Sequence, residues 1–385
     1  MLKVVKVRLY PNKEQQQLIH KTFGSCRFVY NQLLDAKIKA YECGDNLSIY
    51  ELKKRLVPMK KAKGGEFLNE VDSTALQNSV LNMDKAFKNF FRMIKKGERK
   101  GFPKFKSKHN SYQSYQTSTA KIKNGKLYLP KIGEVKAIFH RGIIAGKIKT
   151  VTVTCVANQY YASINYDNGV EEQVGVNNGQ VVAIDVGVKI FAQVSNGEKI
   201  IVDKAHDLSK DIVRVKKFQK SLSRKQKGSN NYKKAKLKLS KAHLKIRNKR
   251  EDFLHKVSHK LSENQAIIVE SLKIKNMSKS AKGTIESPGK NVKAKSGLNR
   301  SILQQSWGKF FEMLEYKLKR NGGELIKVNP KYSSQTCPKC GYISKENRKT
   351  QAKFKCVKCG YYGNADYVAS VNLLKLGAGT VLKAS

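Results

Sequence analysis

"VVAIDVGVKIFAQVSNGEKIIV", residues 181–202, is the stretch from which the fold can be read. It reads as three consecutive strands. The first is almost continuously apolar, the pattern of a strand covered on both faces and so central in its sheet. One residue breaks that run, Asp185. A carboxylate in a buried strand is costly unless it is paired or binds a metal. "AIIVE", residues 266–270, repeats the pattern and closes on Glu270. A third acid, Asp366, stands at a helix start directly behind the cysteines of "FKCVKCGYYGNADYV", residues 354–368. Three such acids can hold two Mg²⁺ ions, which take oxygen ligands and keep several waters. Two ions of this kind activate a water and stabilise the leaving oxygen in phosphodiester cleavage. Each acid alone reads equally as a salt-bridged carboxylate in a basic protein. Pattern does not bring the three together in space, so both readings stay open at this point.

The rest of the chain sets the chemical context. Its 385 residues are enough for two or three domains with a sizeable core, and 40% are hydrophobic, so it folds and is not a basic tail. Lys and Arg number 77 against 29 Asp and Glu, a net charge of +48. Nucleic-acid phosphate is the natural counter-charge. Ribosomal proteins are also basic but usually much shorter. A membrane-surface protein would need an anchor. No apolar run reaches membrane-spanning length, and "MLKVVKVRLYPNKEQ" lacks an apolar signal core, so a cytoplasmic protein is expected. In a reducing compartment seven cysteines argue for metal ligation over disulfides.

Upstream, "LKVVKVRLYP" alternates as a strand, and residues 12–99 turn helical, with Asp72 or Ser73 placed to cap a helix. From Gly101 to Tyr166 the short alternating pieces "KLYLP", "VKAIFH", "KTVTVTCVA" and "QYYASINY" read as an antiparallel unit. The first strand is expected to join it, making the helices an insertion in a β domain. Downstream of the opening stretch lie one long basic helical run to about Asn264, the strand "AIIVESL", and a Lys/Ser/Gly-rich segment from Lys273 to Asn299 expected as a mobile loop. An amphipathic helix, "SILQQSWGKFFEMLEYKLKRNGG", the strand "ELIKVNP", the cysteine module and a last helix follow.

Cys337, Cys340, Cys356 and Cys359 give C-x2-C-x15-C-x2-C, each pair followed by a glycine. Two such turns aim four thiolates at one tetrahedral Zn²⁺, and with all four positions filled by protein the site is structural. Cys26, Cys43 and Cys155 have no ligand spacing and read as core or surface residues. Between Val213 and Arg250 there is no acid at all. With no acids for i,i+4 pairing, this stretch is better read as nucleic-acid contact than as a solvated face. Lys216, Lys217, Arg224, Lys225, Lys233, Lys234, Arg247 and Arg250 are its candidates, with Lys104 and Lys106 of "GFPKFKSK" upstream. Lysines of this kind track backbone and do not read sequence.

The blocks "AIDVGVKIFAQVSNG", "IIVESLKIKNM", "LNRSILQQSWGKFFEMLEYKLKRNGG" and "NPKYSSQTCPKCG…FKCVKCGYYGNADYVASVN" resemble, in order, the signature blocks of the TnpB family. These are insertion-sequence proteins related to type V CRISPR effectors. "KVRLYPNKEQQQLIHKTFGSCRFVYNQLLDAKIKAY" and "GFPKFKSKHNSYQSY" resemble the family's opening and middle blocks, so the likeness spans nearly the whole chain. It implies a multidomain α/β protein: a β-barrel-like wedge domain with a helical recognition insertion, then an RNase H-like (RuvC) nuclease domain with an inserted zinc ribbon. The implied boundaries are wedge 1–11 and 101–175, recognition lobe 12–100, RuvC 176–332 and 363–385, and a target-nucleic-acid-binding ribbon 333–362. It further implies an RNA-guided endonuclease that cuts double-stranded DNA beside a short target-adjacent motif. Its guide RNA comes from the element's own end, and Mg²⁺ or Mn²⁺ sits on a triad falling on Asp185, Glu270 and Asp366. One copy per ribonucleoprotein, prokaryotic and nucleoid-associated when on DNA, is the expectation. Duplex contact by the recognition lobe is expected at Tyr50, Lys54, Thr74, Gln77 and Asn78, positions that read equally as ordinary helix-surface polars. The block after the ribbon departs from the family's D-R-D-x-N-A-A-x-N: Asn364 replaces an acid and Val368 an asparagine, and Ser271 replaces the usual acid after the glutamate. These departures bear on cleavage rate and metal preference. Two other functions fit the same residues. A nuclease-dead RNA-guided repressor usually lacks one of the three acids. A protein-only transposase or accessory factor needs a base-reading motif, and none stands out.

Overall fold

The structure is a computed structural model that describes residues 2–97, 101–108, 112–140, 142, 144, 146–170, 175–350 and 352–381, the side chains of 379–381 excepted. The chain forms two compact units, Met1–Glu172 with Gln226–Lys241, and Gln173–Lys225 with Ala242–Ser385.

In the first unit a strand, β1 (Leu2–Tyr10), is followed by four helices, α1 (Lys13–Glu42), α2 (Ile49–Lys54), α3 (Leu56–Lys61) and α4 (Ser73–Lys95). Six strands complete it: β2 (Tyr112–Thr117), β3 (Lys121–Lys123), β4 (Lys126–Leu129), β5 (Gly133–Ile138), β6 (Lys147–Val156) and β7 (Gln159–Asp167). The sheet order is β2-β6-β7-β1-β5-β4-β3, antiparallel throughout. β1 thus sits between β7 and β5, and the helices are an excursion from the sheet. Asn12 and Gln15 close a capping box on α1, and Asp72 caps α4 by accepting from the Thr74 N–H. Alternation turns Val7 and Leu9 of β1 inward, where they join Phe23 and Leu34 of α1 and Leu76 and Met83 of α4 in one core. Inside that core Lys37 is ion-paired to Asp84 at 2.8 Å. Two strands escape the sequence pattern. β2 lies at the sheet edge and buries only Tyr115 and Thr117, and β3 is three residues long. Among the described residues no pairing joins β2 to β3, so the sheet is open rather than a closed barrel.

The second unit is built on β8 (Val181–Val186), β9 (Ala192–Val194), β10 (Lys199–Ile200), β11 (Ala266–Glu270) and β12 (Glu324–Val328), in the order β10-β9-β8-β11-β12. β8, β11 and β12 run parallel, while β9 and β10 are antiparallel to their neighbours. The predicted basic run is two helices, α5 (Ser209–Ser223) and α6 (Asn230–Leu261), because Gly228, at φ +89°, turns the chain between them. The stretch is not wholly without acid partners either: Lys245 and Lys249 both reach Asp211 on α5, at 3.2 and 2.9 Å. The expected mobile loop is shorter than predicted. It contains a helical turn, α7 (Ile274–Met277), and its end is already α8 (Val292–Gln305). Asn299 donates to the carbonyls of Ser278 and Lys279, and Ile302 is buried, which ties this helix down. The expected amphipathic helix also breaks. Ser306, left-handed at φ +56°, separates α8 from α9 (Trp307–Arg320) and lets Trp307, Phe310 and Leu314 face the core. After β12 come the cysteine module with its short pair β13 (Lys353–Lys355) and β14 (Tyr362–Asn364), then α10 (Ala365–Val381).

The sheet is a middle layer. Val182, Ile184, Ile267 and Val269 point to one side, into a core shared with Phe253, Phe310 and Leu314. Ala183, Ala266 and Ile268 point to the other side, where Leu373 of α10 covers them. Small residues on that side bring α10 close: a Cβ at Gly377 would lie 2.6 Å from Ile268.

Candidate active site and metal centre

Period-two alternation places the first two acids. Asp185 follows Ala183 by two residues and Glu270 follows Ile268 by two, so both side chains lie on the α10 side of the sheet. β8 and β11 are adjacent and parallel, with Ile184 opposite Val269, so both acids stand at the carboxyl ends of neighbouring strands. Open sheets of this kind bind their ligands there. Asp366 is the second residue of α10, the helix packed on that same side. All three line one cavity of about 440 Å³, together with Gly187, Lys189, Pro330, Ser333, Arg348 and Asn364.

The electrostatics follow first from burial and then, at Asp185, from neighbouring like charges. Burial, with Glu270 and Asp366 next to it, pushes Asp185 from 3.8 up to about 8, against the opposing pull of Arg348. Burial also raises Glu270, opposed by the Ser333 hydroxyl and Arg348. Arg348 Nη2 lies 3.2 Å from Asp366 Oδ1 and brings a positive charge to the cavity. Ser333 Oγ donates to Glu270 Oε1 at 3.4 Å, and Ser333 is itself held by Asn372, whose Nδ2 donates to the carbonyls of Ser333 and Thr336. Asn364, one of the departures, accepts from the N–H groups of Asp366 and Tyr367 at 3.0 and 3.1 Å. It therefore caps α10 and fixes the backbone that carries Asp366. Val368 is fully buried beside Phe354 and Ala365, a packing position. Arg348 and Ser333 were missed by sequence reading. They come from "KENRK" and "KYSS", which carry neither a periodicity nor a ligand spacing.

The four cysteines meet. Their Sγ atoms all lie within 4.8 Å of one another, with Cys337–Cys359 and Cys340–Cys356 at 3.6 Å. A tetrahedron of Zn–S bonds of ~2.3 Å has sulfur–sulfur edges of about 3.8 Å, so the donor set fits zinc. Two matching turns build it: Gly341 N–H donates to the Cys337 carbonyl and Gly360 N–H to the Cys356 carbonyl, both glycines at φ +72°. Among the described residues this is the only set of three or more ligand-type side chains drawn so close. Carboxylate oxygens around a roomy polar cavity fit Mg²⁺ or Mn²⁺. Cys26 and Cys155 are buried and Cys43 is exposed.

The remaining candidates are scattered. In the first unit Tyr50, Lys54 and Gln77 are exposed on α2 and α4. Thr74 is committed to the cap, its hydroxyl 2.6 Å from Asp72, and Asn78 donates to the Gln116 carbonyl and Ser118. Lys104 is exposed, while Lys106 lays its Nζ 4.0 Å from the Tyr30 ring centroid. Lys233 and Lys234 are exposed on α6. In the second unit Lys216, Lys217, Arg224, Lys225 and Arg247 are exposed, and Arg250 is half-buried, its Nε without a partner. No helix among the described residues is long and apolar enough to cross a membrane.

Comparison with known proteins places this architecture. Family models match over residues 163–281 ("Probable transposase"), 307–373 ("Cas12f1-like, TNB domain") and 1–46 ("Helix-turn-helix domain"), although over the last range the structure has one strand and one unbroken helix. A protein of Escherichia coli (strain K12), "Putative RNA-guided DNA endonuclease InsQ", is 37% identical over 380 residues, covering 98% of this chain and 92% of that one. A "Putative RNA-guided DNA endonuclease" of Streptomyces pristinaespiralis is 32% identical over 97% of this chain and 88% of its own. Among solved structures, the Cas12f1 chain of a complex with sgRNA and target DNA shares the fold at a TM-score of 0.57 and 14% identity, covering 97% of this chain and 98% of that one. With identity above 30% to two relatives along nearly their whole length, the chain belongs to the TnpB family.

Proposed function

We propose that this protein is the RNA-guided DNA endonuclease of an insertion sequence, hydrolysing phosphodiester bonds in double-stranded DNA at the cavity of Asp185, Glu270 and Asp366. The observation that carries this reading is the convergence of three acids, from three distant stretches of sequence, on one cavity. The relatives' names and the +48 charge support nucleic-acid partners. The sheet order and the parallel strands that carry the acids support an RNase H-like (RuvC) domain over 176–332 and 363–385. The same reading makes residues 1–11 and 101–175 the wedge, 12–100 the recognition lobe and 333–362 a zinc ribbon. It takes the protein to be cytoplasmic, with one copy per guide RNA.

The protein's residues divide the work. Asp185, Glu270 and Asp366 would hold two Mg²⁺ or Mn²⁺ ions, which supply an activated water and steady the leaving oxygen. Ser333 orients Glu270, and Asn364 fixes the backbone of Asp366. Arg348, which lines the same cavity, would offer a guanidinium to a non-bridging phosphate oxygen of a bound strand. Binding rests on guide pairing and on backbone contacts elsewhere, so cutting and binding separate.

The test is to purify the protein from cells carrying its flanking DNA, sequence the RNA that comes with it, and programme that RNA against a new target. Asp185→Ala, Glu270→Ala and Asp366→Ala should each bind the target and fail to cut it. Cleavage by Asp185→Ala at the wild-type rate would sink the assignment. Wild-type protein that binds but never cuts, under any divalent metal, would favour the repressor reading.

A further inference from the structure

The loop entering the ribbon holds a feature that cleavage by the three acids does not use. Tyr332 is a bulky aromatic residue in the left-handed backbone region, at φ +64°. That conformation is unfavourable for any residue with a Cβ and persists only where the surroundings impose it. Here they do. The Tyr332 carbonyl accepts from the Gln335 N–H at 2.9 Å, the Thr336 N–H at 3.0 Å and the Thr336 hydroxyl at 2.8 Å. The next residue, Ser333, is fastened by Asn372. Despite this rigid backbone the side chain is not buried: Tyr332 is 46% exposed, and Lys331 Nζ stands 5.1 Å from its ring centroid. Pro330, Ser333 and Ser334, within two residues of it in the chain, line the acid cavity, while Lys331 and Tyr332 do not line it themselves. A strained backbone thus holds an exposed aromatic ring, with a cation over it, on the loop that lines the cavity through its neighbouring residues.

Its chemistry fits an unpaired base. The cavity takes a phosphodiester group, and the strand carrying that group must run on past the rim. Every base has a π-face, so an exposed aromatic ring on this loop can hold a strand without reading its sequence, while a lysine beside it meets the backbone. We propose that Tyr332 is a strand-positioning residue whose ring stacks on an unpaired base of the DNA strand being cut, next to the phosphodiester in the cavity. This rests on the reading of the cavity as the cleavage site. It is distinct from a purely architectural role, in which the turn at Tyr332 serves only to place Ser333 on Glu270.

Glycine separates the two roles, because it adopts the same backbone without strain and removes only the ring. Guide-loaded wild type, Tyr332→Gly, Tyr332→Ala and Tyr332→Phe would be assayed on a programmed target. The same proteins, each also carrying Asp185→Ala so that the strand survives, would be read with 2-aminopurine placed at successive positions around the cut site. Tyr332→Gly should keep or raise the melting temperature yet cut about tenfold more slowly, a change equal to ~1.4 kcal/mol in the barrier. It should also lose the fluorescence quenching at one position. Tyr332→Phe should retain both cleavage and quenching. Tyr332→Gly with wild-type cleavage and undiminished quenching would overturn the inference and leave the turn as a support for Ser333. If wild type itself never cuts, the proposed function fails, and the quenching assay still decides whether the ring stacks.

Discussion

Asp185→Asn should stabilise the metal-free protein while abolishing its activity, and the size of the effect should depend on pH in a direction opposite to that of a paired acid. At pH 7 an ordinary aspartate is ionised, whereas Asp185, raised from 3.8 to about 8, keeps its proton. Withholding ionisation costs about 1.4 kcal/mol per pH unit between the ordinary value and the ambient pH, a ceiling of about 4 kcal/mol at pH 7. Burial raises Glu270 as well, so the cost of the buried site is not Asp185's alone, and about 2 kcal/mol is a fair expectation for relieving it at that position. The sign follows from linkage. A carboxyl raised in the folded state costs nothing below its unfolded value and progressively more as pH climbs to the folded value. The gain from asparagine should therefore be near zero at pH 4 and grow up to about pH 8. For a unit of this size about 2 kcal/mol corresponds to roughly 4–8 °C in melting temperature. Calorimetry of both proteins in a chelator between pH 4 and 8 measures it. Mg²⁺ should then raise the melting temperature of wild type and leave the variant where it was. A variant less stable than wild type at pH 8, or a gain that does not vary with pH, would refute the reasoning, since either result means Asp185 is not held protonated by burial and its neighbouring acids.

Metal analysis should find about one Zn²⁺ per chain, and Cys356→Ser should expose the remaining three thiols to alkylation under native conditions; a zinc-free protein with an intact ribbon would contradict this. In the first unit, Lys37→Ala leaves Asp84 with only the exposed Lys88 and should cost about 2–3 kcal/mol in urea unfolding, whereas a Lys37→Met, Asp84→Leu double variant should come close to wild type. Gly377→Ala puts a methyl 2.6 Å from Ile268. It should destabilise by about 1–3 kcal/mol and slow cleavage by lifting the helix that carries Asp366; unchanged stability would mean α10 packs less closely than described. RNA binding should weaken steeply with salt, as counterion release from a +48 chain requires, and a flat salt profile would point to a different partner.

The acids and the cysteines were legible because their chemistry conflicts with their surroundings. A carboxylate closing an apolar strand, or four thiols at knuckle spacing, stands out from any local pattern. β8 and β11 were legible as buried strands because nearly every residue is apolar. What failed was whatever depended on distant partners. β2 reads as polar sequence because only two of its residues face inward. The break at Ser306 is set by packing on both sides of the helix and by nothing local, and α8 begins in a stretch whose composition says loop. Arg348 and Ser333 reach the cavity through tertiary geometry alone. Asn364, which looked like a weakened position against the family pattern, turns out to be the cap of its helix.

The sequence order of the site has a bearing on how the protein is made. The face of β8 that carries Asp185 cannot be covered until α10 exists. About 180 residues separate Asp185 from Asp366, so at synthesis rates of roughly 5–20 residues per second the site stays incomplete for about 10–35 s. The basic helices α5 and α6 are complete by Leu261, about 105 residues before Asp366 is added. On the proposed function, translation that stops between Leu261 and Asp366 would therefore yield a polypeptide that carries the basic helices but lacks the third acid. Abortive products would compete with the finished protein for guides instead of damaging DNA.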